Sequence, residues 1–197
     1  MSGAFIVFEG IDGAGKTTVS GLMAKRLLSD GFKPIQTAEP SGGCVGKIIR
    51  EGRLDVSQLT EAFLFCADRA DHTEKVSGLA ADGWVVLCDR YFASTVAYQS
   101  ASLHGDFEDA EWLIDLSKPF TDKPDATILL DIDPTVAMER AKSRGEPLSK
   151  FENTRYLEQV RRNYLDLADR FGFSVVDAAR PVEEVAEDVY KIIRSVL

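Results

Sequence analysis

Short apolar runs alternate along this chain with longer stretches in which apolar residues recur at helical spacing. Trp84-Val85-Val86-Leu87-Cys88 and Thr127-Ile128-Leu129-Leu130 are the clearest runs. Strands covered on both faces of a parallel sheet carry such near-continuous apolar sequence. The pattern predicts five strands, over 4–9, 33–37, 84–88, 126–131 and 173–176. It predicts helices over 15–30, 57–81, 92–103, 107–117, 134–144, 151–171 and 181–196. Gly31 follows the first helix as a C-terminal stop does, and Pro134 and Pro181 stand where helices begin. Alternating strands and helices imply an α/β fold, a five-stranded parallel sheet flanked by helices. Ligands of such sheets sit at the C-terminal ends of the strands.

Composition narrows the picture. The 197 residues are 45% hydrophobic and 28% charged, enough for one domain with a sizeable core. No repeat, low-complexity tract or linker divides them, so a single domain over 1–197 is expected. No apolar run approaches the roughly 20 residues of a membrane span, and Glu9 and Asp12 interrupt the first one. The expectation is a cytoplasmic protein without a secretory signal or a membrane partner. The three cysteines, Cys44, Cys66 and Cys88, are scattered and suggest neither a zinc site nor a disulfide framework. A net charge of −9 argues against a nucleic-acid polymer as partner. It leaves room for a nucleotide site, which needs only a local cluster of cations.

Such a cluster begins where the first strand ends. Gly10-Ile11-Asp12-Gly13-Ala14-Gly15-Lys16-Thr17 is the phosphate-loop pattern G-x-x-x-x-G-K-[ST] between a strand and a helix. Its glycines let backbone N–H groups curl around a phosphate, and the following helix adds the positive end of its dipole. Lys16 is placed for the β- and γ-phosphates and the Thr17 hydroxyl for Mg²⁺; Thr18 adjoins them. Residues 10–18 are thus the expected cradle of a nucleoside triphosphate. The pattern alone does not separate kinases from switches, but the N-K-x-D element with which GTPases read guanine is absent. At the end of the third strand, Asp89 can hold Mg²⁺ directly or through water, and the planar fork of Arg90 can grip a phosphate.

Further segments repeat one family's signature. FEGIDGAGKTT (8–18), AEP (38–40), FLFCADRADH (63–72), DRYFASTVAYQ (89–99) and RAKSRGE (140–146) together resemble the thymidylate kinases, in order and over nearly the whole chain. The resemblance implies a P-loop fold with a short lid, here about 141–152. It implies transfer of a phosphoryl group from ATP, with Mg²⁺, to dTMP. On spacing alone Phe65 suits a core position and Arg69 an ion pair with Asp68 or Asp71. By resemblance the Phe65 ring stacks on thymine and Arg69 reads a base carbonyl. Arg90 is expected on the acceptor phosphate and Asp12 near that phosphate and the sugar. Glu39 would hold Mg²⁺-bound water or the sugar. Ser94, Thr95, Tyr98 and Gln99 follow on one helix: Thr95 or Gln99 would read the base edge, and Tyr98 would obstruct a 2′-hydroxyl.

Gly13 and Ala14 leave the variable P-loop positions neutral. This resembles the arrangement in which the lid supplies the catalytic cations. Arg144 and Lys150 are the candidates, with Arg140 one helical turn behind Arg144. Asp177-Ala178-Ala179-Arg180-Pro181 resembles the loop that packs against adenine, on which Arg180 would stack by its guanidinium face. The family is commonly homodimeric, and the 57–81 and 92–117 helices are the expected surface. The chain departs from many relatives in having Ala38 before the Glu-Pro pair and Ser149-Lys150 in the lid.

Overall fold

All six residues of the first strand, Ala4–Glu9 (β1), are buried, because this strand has neighbours on both sides. The computed structural model describes residues 3–52, 55–103, 110–143 and 154–197. Strands Pro34–Ala38 (β2), Val85–Asp89 (β3), Ala126–Asp131 (β4) and Ser174–Asp177 (β5) complete a sheet of order β2-β3-β1-β4-β5, every pairing parallel. Alternate β1 side chains go to opposite faces, as the two-residue pleat requires. Ile6 and Phe8 enter the larger core. Phe5 and Val7 pack in a second cluster with Val76, Val86, Cys88 and Tyr91. Phe8 has no exposed surface, which is worth about 1.5–3 kcal/mol by transfer.

The helices are Lys16–Ser29 (α1), Cys44–Arg50 (α2), Gln58–Ala81 (α3), Phe92–Leu103 (α4), Glu111–Ser117 (α5), Pro134–Ser143 (α6), Thr154–Phe171 (α7) and Val182–Arg194 (α8). From β1 the chain crosses to the edge at β2, returns to β3 beside β1, then leaves for β4 on the other side. The carboxyl ends of β1 and β3 therefore flank the switch point where such sheets bind ligands. Pairing of Phe8 with Asp89 sets the P-loop beside Asp89 and Arg90.

The α/β expectation is met, with local differences. β2, β3 and β5 lie one residue further along than their apolar runs predict. Polar Asp89 continues the ladder opposite Ala38, while the Trp84 N–H is taken by Leu79 at the end of α3. Helix α2 was not anticipated, because it is short and carries Gly46. A Cβ at Gly46 would lie 2.2 Å from the Ser41 carbonyl oxygen, so only glycine lets this helix seat on the 39–43 loop. Pro181 caps α8 from outside, whereas Pro134 opens α6 as expected. Residues 107–109, and 144–153 with most of the expected lid, Arg144 and Lys150, lie outside the described residues.

Candidate active site

The P-loop bends through three left-handed glycines, with φ of 140° at Gly10, 84° at Gly13 and 93° at Gly15, a region that side chains disfavour. A Cβ at Gly13 would meet the Ala137 carbonyl oxygen at 2.3 Å. A basic side chain is thereby excluded from this position by backbone shape and space together. The Lys16 ammonium is folded into the loop, donating to the carbonyls of Gly10 at 2.9 Å and Ile11 at 3.0 Å. Burial, with Arg90 nearby, brings its pKa down to about 8 against the pull of Asp89, Asp12 and Glu9.

The Thr17 hydroxyl donates to Asp89 Oδ2 at 2.6 Å. Asp89 Oδ1 is buried and has no partner. Among the described residues no group of three or more His, Cys, Asp or Glu side chains is placed to hold a metal. One hydroxyl and one carboxylate with an open oxygen suit a cation that brings its remaining ligands as water and substrate phosphate, as Mg²⁺ does.

Arg90 has φ 73°, the single positive value among the described non-glycine residues. That conformation costs about 1–2 kcal/mol for a side-chain-bearing residue, so its surroundings impose it. Arg90 Nη2 reaches Asp12 Oδ1 at 2.6 Å and the Tyr98 hydroxyl at 3.3 Å. Nη1 reaches Ser94 Oγ at 3.1 Å, the Tyr164 hydroxyl at 3.3 Å and the Gly10 carbonyl at 3.3 Å. Burial opposes charge on Asp12, but Arg90 and Lys16 outweigh it and hold its carboxyl below the usual value. The Tyr98 hydroxyl accepts from the Asp12 N–H at 3.1 Å, and its ring lies under the Arg90 guanidinium.

Beside Arg90 opens a cavity of about 140 Å³ lined by Asp12, Glu39, Pro40, Phe65, Arg69, Arg90, Tyr91, Ser94, Thr95, Tyr98 and Gln99. Arg69 is 1% exposed. Its Nη2 donates to Glu39 Oε2 at 2.7 Å, Thr95 Oγ1 at 2.7 Å and the Tyr91 carbonyl at 3.1 Å. Its Nε and Nη1, and Gln99 Oε1, are buried without partners. Both residues line this cavity, and buried polar atoms without partners are costly unless a ligand completes them.

The structure brings all the expected acceptor-side residues together around one cavity. Arg69 pairs with Glu39, while Asp68 instead accepts from the backbone N–H and hydroxyl of Ser41. Thr95 Oγ1 accepts from Arg69, and Gln99 Oε1 has no partner. The Glu39 carboxylate faces Arg69 and His72, with His72 Nδ1 at 3.0 Å from Oε1 and its Nε2 at 2.7 Å from Thr37 Oγ1. Sequence reading missed His72, three residues after Arg69 on α3, and Glu9 and Tyr164 behind Arg90. A histidine one helical turn from a candidate arginine was the one available signal.

On the donor side a cavity of about 170 Å³ is lined by Gly13, Ala14, Gly15, Thr18, Val19, Arg140, Arg180, Val182 and others. Arg140 donates to the carbonyls of Ala178 at 2.8 Å and Ala179 at 3.2 Å. It thereby ties α6 to the loop after β5. Arg180 is fixed by Asp188 at 2.8 Å and the Asp177 carbonyl at 3.2 Å.

Comparison with known proteins agrees with this geometry. A family model described as thymidylate kinase matches residues 8–189. A probable thymidylate kinase of Archaeoglobus fulgidus is 42% identical over 193 residues, covering 98% of this chain and 95% of that protein. One of Methanosarcina mazei is 42% identical over 197 residues, covering 97% and 95%. One of Pyrococcus horikoshii is 40% identical over 205 residues, covering 98% and 97%.

Proposed function

From the premise that the chain belongs to the thymidylate kinase family, we propose that it transfers the γ-phosphoryl group of ATP to dTMP, giving ADP and dTDP. The observation that carries the acceptor assignment is that Arg69 and Gln99, which line the cavity beside Arg90, keep two donors and one acceptor unmatched. Thymine offers the complement, carbonyl acceptors and an imide N–H. Phe65, half-buried at the same cavity, supplies an aromatic face for the base. Glu39 and Thr95 orient Arg69. Tyr98, held by the Asp12 N–H and Arg90, stands where it would crowd a 2′-hydroxyl and so favours deoxyribose.

The reaction is an in-line displacement. An oxygen of the acceptor phosphate forms the new bond to the γ-phosphorus as the bond to the β-bridging oxygen breaks, and ADP leaves with that electron pair. The acceptor phosphate is already ionised near neutral pH, so no strong general base is required. Lys16 exchanges the carbonyls of Gly10 and Ile11 for the β- and γ-phosphates. Arg90 grips the acceptor phosphate, and Asp12 is released toward the sugar. Thr17 and Asp89 would hold Mg²⁺, which supplies charge neutralisation across the donor phosphates. Arg140 shapes the donor site through the 178–179 carbonyls, and Arg180 lies at the adenine end. Arg144 and Lys150 complete the charge balance from the lid. Mixing the protein with Mg·ATP and dTMP and following ³¹P spectra should show ADP and dTDP appearing in equal amounts. ADP formation that ignores dTMP would refute the acceptor assignment.

The Lys16 pKa gives a pH dependence. In the nucleotide-free protein Lys16 is protonated below about pH 8, and phosphates bind the cation directly. Above that pH, binding must take up a proton, so the Kd for ATP should rise by up to about tenfold per pH unit. A Kd that stays flat from pH 7 to 9.5, by calorimetry, would contradict this role for Lys16.

We also infer a homodimer in the cytoplasm. Val56, Leu59 and Phe63 are large exposed apolar residues before and on α3. Light scattering should give twice the chain mass, and Phe63→Glu a monomer; a monomeric parent protein would discard the inference. No helix among the described residues is long and apolar enough to cross a membrane.

A further inference from the structure

Glu9 ends β1 with no exposed surface, one residue before the P-loop, and the reaction described above gives it no task. Burial raises its carboxyl pKa, and Ser94, Arg90, Tyr91 and Lys16 pull the other way. A buried carboxylate must be fully hydrogen-bonded to persist, and four donors converge on this one. Oε1 accepts the N–H of Tyr91 at 2.9 Å and of Ser94 at 3.2 Å. Oε2 accepts the Ser94 hydroxyl at 2.6 Å and the Tyr164 hydroxyl at 3.2 Å. Ser94 Oγ and the Tyr164 hydroxyl are themselves 2.7 Å apart.

These donors surround Arg90 in both backbone and side chain. The Arg90 N–H is held by the Phe8 carbonyl at 2.9 Å, and the peptide that follows it is held by Glu9. Residues 8 and 9 thus pin the chain on either side of the one non-glycine left-handed residue among those described. The two hydroxyls that donate to Glu9 are the two against which Arg90 Nη1 rests. The carboxyl group of Glu9 therefore reaches Arg90 through one layer of hydroxyls. It fixes the guanidinium without occupying its outer edge, where Asp12 is the exchangeable partner.

We propose that Glu9, acting through Ser94 and Tyr164, is the positioning residue that aims Arg90 at the acceptor phosphate. The proposal rests on the reading of Arg90 as the acceptor-phosphate ligand. Glu9→Gln keeps the shape but replaces one acceptor oxygen with an amide donor. Tyr164→Phe keeps the buried ring and removes only the hydroxyl, so it serves where Glu9→Gln does not fold.

Steady-state kinetics would use whichever monophosphate the parent protein phosphorylates best. Each variant should raise the KM for that acceptor about tenfold and lower kcat, with the KM for Mg·ATP changed less than about twofold. The double variant should be little worse than the poorer single one, since both act on one network. An unchanged acceptor KM with only kcat reduced marks a merely structural role and overturns the proposal. So does an equal loss for acceptor and ATP, or effects that multiply in the double variant. Arg90→Gln run in parallel separates the premise. If it leaves the acceptor KM unchanged, Arg90 is not the phosphate ligand, and an effect of Glu9→Gln on that KM would then refute the positioning role as well.

Discussion

Lys16→Ala should reduce turnover by at least about 10³-fold while the protein stays folded. The loss follows from charge. Negative charge develops on the transferring group, and Lys16 is the cation that the P-loop itself supplies to the donor phosphates. The stability side has the opposite sign. A pKa near 8 in the folded state, against about 10.4 for an unperturbed lysine, means that the unfolded chain binds the proton more tightly. Lys16 thus lowers stability at neutral pH, fully so below pH 8, and the penalty fades as pH rises toward the unfolded value. Two bonds to the Gly10 and Ile11 carbonyls return about 1 kcal/mol each. The alanine variant should therefore melt within a few degrees of the parent or above it. Turnover within tenfold of the parent would remove Lys16 from the mechanism. A melting point lowered by ten degrees or more would show that the ammonium holds the loop together.

Arg69→Met should damage stability and recognition at once. The guanidinium is buried against Glu39, and its removal leaves that carboxylate in the interior with His72 as its side-chain partner. Breaking a buried pair in this way costs about 3–5 kcal/mol. In a chain of this size that corresponds to a fall in Tm of about 6–20 °C. The same change deletes the donors that face the base, and kcat/KM for dTMP should fall by about 10²–10³-fold. Adding Glu39→Gln separates the two effects. The double variant should regain part of the lost stability, because no uncompensated charge remains, and none of the lost kcat/KM. If kcat/KM returned along with stability, Arg69 would be a structural residue and the base would be read elsewhere.

The parts of this site that lie on one short segment were legible in the sequence. The P-loop is a contiguous pattern whose glycines answer local backbone demands, and Asp89-Arg90 follows an apolar run that could only be a buried strand. Phe65 with Arg69, and Thr95 with Tyr98 and Gln99, share helix faces by spacing alone. What spacing could not give is which partner each charge takes across the fold. Arg69 had Asp68 beside it in sequence, yet Asp68 is drawn to Ser41 by the seating of α2 on the 39–43 loop. That helix was itself illegible, because Gly46 lowers its helical signal and serves only a close approach. Glu9 reads as the polar end of a strand. Its meaning comes from Ser94 and Tyr164, which only tertiary packing brings to it. Strand ends slipped by one residue for the related reason that backbone pairing, unlike side-chain polarity, decides where a ladder stops.

The cavity beside Arg90 should read the imide edge of thymine. The most direct test is ADP release from Mg·ATP with dTMP and with dCMP as competing acceptors, expressed as the ratio of kcat/KM. Cytosine sets an amino donor against the Arg69 donors and a ring acceptor against Gln99 Oε1, so dTMP should lead by about 10³-fold or more. A ratio near one, or a preference for dCMP, would contradict the assignment of the acceptor while leaving the P-loop in place.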